Sequence, residues 1–212
     1  MSKLVECVPN FSEGRRPEVI EAIAEEIRKV DDVKLLDVKA DASHNRVVVT
    51  FVGEPQAVKQ AAFNACKKAA ELIDMEKHHG EHPRIGATDV IPFIPVKDVT
   101  MEECVALANE LAQDIAGKLE IPVYLYEEAA KISTRRALPD IRKGQYEGLK
   151  EEIKKPERKP DYGPAHMHPS AGATVVGARQ FLIAYNINLD TADVSIAKKI
   201  ANCIREARGG FR

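Results

Sequence analysis

Seven consecutive residues, His78-His79-Gly80-Glu81-His82-Pro83-Arg84, hold three of the chain's six histidines together with a carboxylate and a guanidinium. Imidazole is the side chain whose unperturbed pKa, about 6.5, lies nearest neutrality, so the run suits proton transfer or ligand capture. Gly80 and Pro83 break any helical path and make it a kinked loop that can aim several side chains at one point. His82, flanked by Glu81 and Arg84, is the candidate general acid/base. His78 and His79 read equally well as solvated or loop-packing residues. Two histidines one helical turn apart would suit a metal ion only on a helix, and H-E-x-x-H is absent, so the pattern argues against a metal site.

Five arginines, Arg46, Arg84, Arg135, Arg136 and Arg179, are candidates for carboxylate recognition, because guanidinium and carboxylate pair in a planar, two-pronged geometry. Arg46 and Arg84 stand out, each beside the end of an expected strand in a polar loop. Asn10, Ser12 and Glu13 follow the first strand in the same way, and loops emerging on one edge of a sheet would define one cleft. A second loop comprises Gly163, Pro164, Ala165, His166, Met167, His168, Pro169, Ser170, Ala171 and Gly172. Its glycines and prolines let backbone N–H groups approach a flat ligand closely, or make an ordinary domain-linking turn. Gly172 to Gly177 has the glycine frame of a phosphate loop, but Ala178-Arg179 replaces the required Lys and Ser/Thr, which excludes nucleotide binding through it.

The elements that must position these residues follow from periodicity. Leu4 to Pro9, Val33 to Val38 and Arg46 to Val52 read as strands, the last two joined by a short polar turn and therefore antiparallel. Helices are expected from Pro17 to Val30 and from Pro55, the second burying Val58, Ala62, Ala65, Ala69, Leu72 and Ile73 and ending just before the histidine loop. Val90 to Val96 is a strand whose Pro92 and Pro95 suggest an edge or bulged path. Thr100 and Glu103 form a capping box opening a helix. Val123 to Tyr126 is a strand, a short helix follows, and the charged stretch Lys150 to Asp161 reads as a surface linker. The tail pairs an apolar run, Phe181 to Ile187, with an amphipathic helix from about Ala192 to Arg208, repeating the strand, asparagine, turn and helix order of residues 5 to 30. The fold class is an α/β (α+β) sandwich, a mixed sheet with helices packed on it. Its opening β-α-β-β-α order is compatible with a ferredoxin-like half, and the tail begins a second, similar subdomain.

Composition sets the remaining bounds. With 31 Lys+Arg against 33 Asp+Glu in 212 residues, no global field is expected to recruit nucleic acid or membrane. Cys7, Cys66, Cys104 and Cys203 form no C-x-x-C pair, as expected for reduced thiols in the cytoplasm. Nothing approaches a membrane-spanning apolar run or a signal peptide.

Taken together, VPNFSEG at residues 8–14, His78 through Arg84, Pro92-Phe93-Ile94-Pro95-Val96, Asp161-Tyr162-Gly163-Pro164, Pro169-Ser170 and Gly172-Ala173-Thr174 resemble the formiminotransferase domain of the glutamate formimidoyltransferase family, over nearly the whole chain. The resemblance implies transfer of a formimino group from N-formimino-L-glutamate to tetrahydrofolate in histidine degradation, with tetrahydrofolate as co-substrate and no metal. It implies that His82 is catalytic and that Gly163 through Gly172 contact folate. It also implies two α/β subdomains, residues 1–178 forming the N-terminal one and 179–212 the start of a truncated C-terminal one, with a homodimer or a partner lobe completing the assembly. Two rivals remain. One is a non-catalytic folate-binding or assembly lobe that needs a partner chain, the other a metal-dependent hydrolase built on the histidines.

Overall fold

The structure, a computed structural model, describes residues 3–183, 187 and 189–204. Residues 1–180 form one compact unit and 181–212 a second. In the first unit the chain runs β1 (Leu4–Cys7), β2 (Asn10–Phe11), α1 (Pro17–Arg28), β3 (Val33–Asp41), β4 (Arg46–Gly53), α2 (Pro55–Leu72), β5 (Thr88–Lys97), α3 (Met101–Leu119), β6 (Val123–Glu127), α4 (Leu138–Ile141), α5 (Gln145–Glu152) and β7 (Thr174–Ala178).

The strands form one mixed sheet in the spatial order β3, β4, β1 with β2, β5, β7, β6. The first four positions are antiparallel, and β7 lies parallel to both β5 and β6. Taking β1 and β2 as one interrupted strand, the antiparallel part has the order of a ferredoxin-like unit, which the parallel pair extends. β4 alternates half-buried and buried residues along its whole length, so one face turns to the helices. There Val5, Cys7, Phe11, Val47, Val49, Phe51, Ile91 and Phe93 meet apolar residues of α1, α2 and α3. The other face of β5, β7 and β6 carries a smaller cluster, with Ile85, Tyr124, Tyr126 and Val175 against Ile141, Leu149 and Ile153.

Local signals explain the helix starts. Pro17 and Pro55 occupy first turns, the Glu54 carboxylate accepts from Gln56 N and Ala57 N, and Thr100 and Glu103 complete a reciprocal capping box.

Four expectations need correction. Of the edge or bulged path expected for β5, the edge is overturned, since β5 lies between β1/β2 and β7, and the bulged path is present as register shifts against β1 and β2. Its prolines are tolerated because Pro92 faces the break between β1 and β2, and Pro95 adjoins a register shift against β1. α2 ends at Leu72, which is exposed, and residues 73–77 intervene before the histidine loop. The stretch Lys150 to Asp161 is no linker, since Ile153 is buried and Asp161 Oδ2 accepts from Leu125 N at 2.9 Å, which ties it to β6. In the second unit Phe181 to Ile183 form no strand, and α6 spans Val194–Ile204. The expected continuations through residues 184–186 and 205–208 lie outside the described residues.

Candidate active site

The end of β2 and the starts of β4, β5 and β7 meet at one edge of the sheet. Ser12 N donates to Ala87 O at 2.9 Å and Ser12 Oγ to Gly86 O at 2.7 Å. Asn45 accepts from Gly14 N at 2.9 Å and donates to His79 O at 3.0 Å, joining three loops through one buried side chain. Gly172 has φ +73°, and a Cβ there would stand 2.5 Å from Ile85 O. Only glycine allows that approach, which pins the end of the second loop to the base of the histidine loop.

Within the histidine loop the three imidazoles have different fates. His78 is buried; its Nε2 lies 2.9 Å from Asn45 O, and Arg84 Nε donates to its Nδ1 at 3.2 Å. Those partners fix the neutral tautomer with the proton on Nε2. Burial, reinforced by the Arg84 charge, pushes its pKa down. Arg84 is a strut: besides His78 Nδ1 it donates to His78 O at 3.1 Å and to both Glu147 oxygens at 2.9 and 2.7 Å. His79 is exposed. His82 is half-buried and stands edge-on to His44, ring centroids 6.0 Å apart, with no hydrogen bond among the described residues. Burial, then the charges of Arg46 and Arg142, push its pKa down to about 3, so the ring is neutral.

The charges around His82 come from three elements. Phe11 pairs with Thr88 and Asn10 with Val90, which leaves Asp89 as the extra residue of a β-bulge, a device that re-aims a side chain. Asp89 is buried, accepts from Ile85 N at 2.8 Å, and pairs with Arg142 at the C-terminal end of α4. Arg46, at the first position of β4, donates to Asn10 Oδ1 at 2.6 Å. It has no carboxylate partner among the described residues. The Nε atoms of Arg46 and Arg142 are both buried without a hydrogen-bond partner.

Of the residues singled out from sequence, Asn10, Arg46 and His82 are therefore brought together, while Arg84 braces His78. Glu13 is buried and structural: burial raises its pKa, but donors from Arg15 N, Arg16 N and the Arg16 side chain outweigh this and leave it lowered. Arg135 is consumed by a buried pair with Asp161 at 3.0 Å, and Arg136 by a pair with Glu128. Arg179 follows β7 at the opposite edge of the sheet. The loop Gly163 to Gly172 begins beside Ile121 and Pro122, and its far end bonds to residues 75 and 87, with Ala173 just beyond it bonding to Ile85. Within it His168 Nδ1 accepts from Ser170 N and Ala171 N at 3.3 and 3.0 Å. It shares the sheet edge with His82 but makes no hydrogen bond to His82, Arg46 or Arg142 among the described residues. A cavity of about 450 Å³ is lined by Ser12, Glu13, Arg16, Asn45, Leu72 and His78 among others, and His82 does not line it. Among the described residues no cluster of three His, Cys, Asp or Glu is arranged to hold a metal ion, and no helix is long and apolar enough to cross a membrane.

Asp89, Arg142, Asn45 and Glu147 were missed by sequence reasoning. Arg142 pairs with a residue 53 positions away, a relation that no local pattern encodes. Pro139, at the start of α4, was the one available hint that a helix positions Arg142.

The chain matches the family described as the formiminotransferase domain, N-terminal subdomain, over residues 4–179. It is 50% identical over 212 residues to a glutamate formimidoyltransferase of Streptococcus pyogenes serotype M1, an alignment that covers all of this chain and 71% of that protein. It is 54% identical over 210 residues to a glutamate formimidoyltransferase of Thermoplasma acidophilum, covering 98% of this chain and 69% of the relative. It is 55% identical over 210 residues to a formimidoyltransferase-cyclodeaminase of Gallus gallus, of which it spans only 39%.

Proposed function

The chain belongs to the formiminotransferase-domain family, N-terminal subdomain, and on that premise we propose that it transfers the formimino group of N-formimino-L-glutamate to tetrahydrofolate, with His82 as general acid/base. The observation that carries the reading is the His82 ring itself, neutral and free of hydrogen bonds among the described residues, beside the guanidinium groups of Arg46 and Arg142. A free imidazole serves proton transfer, and the two guanidiniums suit a substrate bearing carboxylates.

In the proposed reaction the folate N5 attacks the amidine carbon, forming a C–N bond and a tetrahedral adduct in which N5 carries an extra proton. His82 takes that proton and passes it to the glutamate nitrogen. The bond from carbon to that nitrogen then breaks, releasing glutamate and leaving the formimino group on N5. No electron is gained or lost, and the proposal assigns no metal.

Gly163 to Gly172 is the proposed folate-contacting loop, supported by the bonds that fix its far end at the base of the histidine loop. Residues 179–212 are read as the start of a second subdomain, with a homodimer or partner lobe closing the cleft, and the cytoplasm and histidine degradation are the proposed setting. The test is formimino transfer from formiminoglutamate to tetrahydrofolate by the purified chain. Turnover supports the reading. Folate binding with turnover only after a second polypeptide is added favours the lobe that needs a partner, and neither binding nor turnover refutes both.

A further inference from the structure

Two cations and one anion meet beside His82. Asp89 neutralises Arg142, and among the described residues Arg46 has only the amide oxygen of Asn10 as a side-chain partner. Each arginine also keeps a buried Nε–H with no acceptor among the described residues. An uncompensated, partly desolvated charge with idle donors is costly in a folded protein, and it is relieved when an anion supplies both charge and acceptors. A planar carboxylate matches guanidinium donors in geometry.

The reacting atoms decide which carboxylate this is. His82 must reach the departing glutamate nitrogen within hydrogen-bond distance. The α-carboxylate is attached to the carbon that bears this nitrogen, whereas the γ-carboxylate is two methylenes further away. An anion beside His82 is therefore the α-carboxylate.

We propose that Arg46 and Arg142, backed by Asn10 and the bulge residue Asp89, form the subsite that binds the α-carboxylate of the formimino donor and of the glutamate product beside His82. The assignment rests on the formimino-transfer reading above and deepens it. It also couples binding to chemistry. The two guanidiniums act with burial to hold His82 neutral and weakly basic, and a bound carboxylate offsets them, making the ring a better proton acceptor once substrate is in place.

The test is an NMR titration of the 212-residue chain that follows the Nε–H signals of Arg46 and Arg142. The probes are L-glutamate, L-glutamine, which keeps the α-carboxylate, and isoglutamine, in which that group is an amide. Glutamate and glutamine are expected to shift both signals, and isoglutamine to leave them in place. Arg46→Met, which among the described residues loses only Asn10 as a side-chain partner, is expected to remain folded and to weaken glutamate binding about tenfold or more, the scale of a lost charged hydrogen bond. Equal binding of isoglutamine, or unchanged affinity in Arg46→Met, would overturn the subsite while leaving formimino transfer intact. The ligand series in the unmodified chain decides the matter even if the variant misfolds. No formimino transfer, with glutamate still bound at both arginines, would overturn the reaction and keep the subsite; neither transfer nor glutamate binding would remove both.

Discussion

Arg84 invites opposite readings from sequence and structure, and replacing it with methionine separates them. In the structure its guanidinium is nearly inaccessible, with a side-chain exposure of 6%, and it supplies the partners of His78 Nδ1 and His78 O. Methionine fills similar space but leaves those two buried acceptors unsatisfied, at about 1–3 kcal/mol each. The Glu147 carboxylate is 65% exposed and returns to water, so its share is that of a surface pair, about 0–1 kcal/mol. The expected total is about 2–7 kcal/mol, centred near 4 and so a fall in Tm of roughly 10–15 °C for a chain of this size. The chain has no tryptophan, so circular dichroism during urea and thermal unfolding is the suitable assay. Glu147→Gln should cost about 1 kcal/mol or less by the same accounting. Wild-type stability in Arg84→Met, with a selectively raised KM for the glutamate-bearing donor, would refute the strut and return Arg84 to substrate recognition.

Asp161→Asn should destabilise by about 3 kcal/mol, because it strands the Arg135 charge in a pair whose side chains are only 11% and 7% exposed; the double variant with Arg135→Met should lose less than the single, read by urea denaturation. Gly172→Ala places a Cβ 2.5 Å from Ile85 O at φ +73°, so a loss of about 2 kcal/mol or more and displacement of the histidine loop are expected, read as lowered Tm together with lowered formimino transfer. His78 and His82 both have pKa values below the ordinary 6.5. The unfolded chain therefore takes up protons near that pH while the folded chain does not, and stability falls as pH drops from about 6.5 toward about 3. His82→Gln should flatten this acid limb in pH-dependent urea melts, and an unchanged limb would show that His82 titrates normally.

Much of this architecture was legible because its signals are local. The Thr100–Glu103 box, the prolines opening α1 and α2, and the β-branched run within Arg46 to Val52 each concern residues a few positions apart, and the structure carries them all. Failures arose where a long-range partner decided the outcome. Pro92 reads equally as an edge or a bulge signal until the break between β1 and β2 is found opposite it. Lys150 to Asp161 looks like a linker until Asp161 meets Arg135 and Leu125. At the candidate site, residue type and loop context singled out His82 and Arg46, which the structure places beside each other. Asp89 fell just before the expected strand Val90 to Val96, and only strand register reveals the bulge that turns it. Arg142 sat among other basic residues beyond a four-residue helix too short to show periodicity.

The most direct test of the central claim compares the chain with His82→Ala, measuring turnover of formiminoglutamate with tetrahydrofolate and, separately, folate affinity and Tm. His82 makes no hydrogen bond among the described residues, so its loss should spare folding and folate binding while turnover falls by about 100- to 10,000-fold, the usual contribution of a general acid/base. A variant that folds, binds folate and turns over at the rate of the unmodified chain would contradict the account.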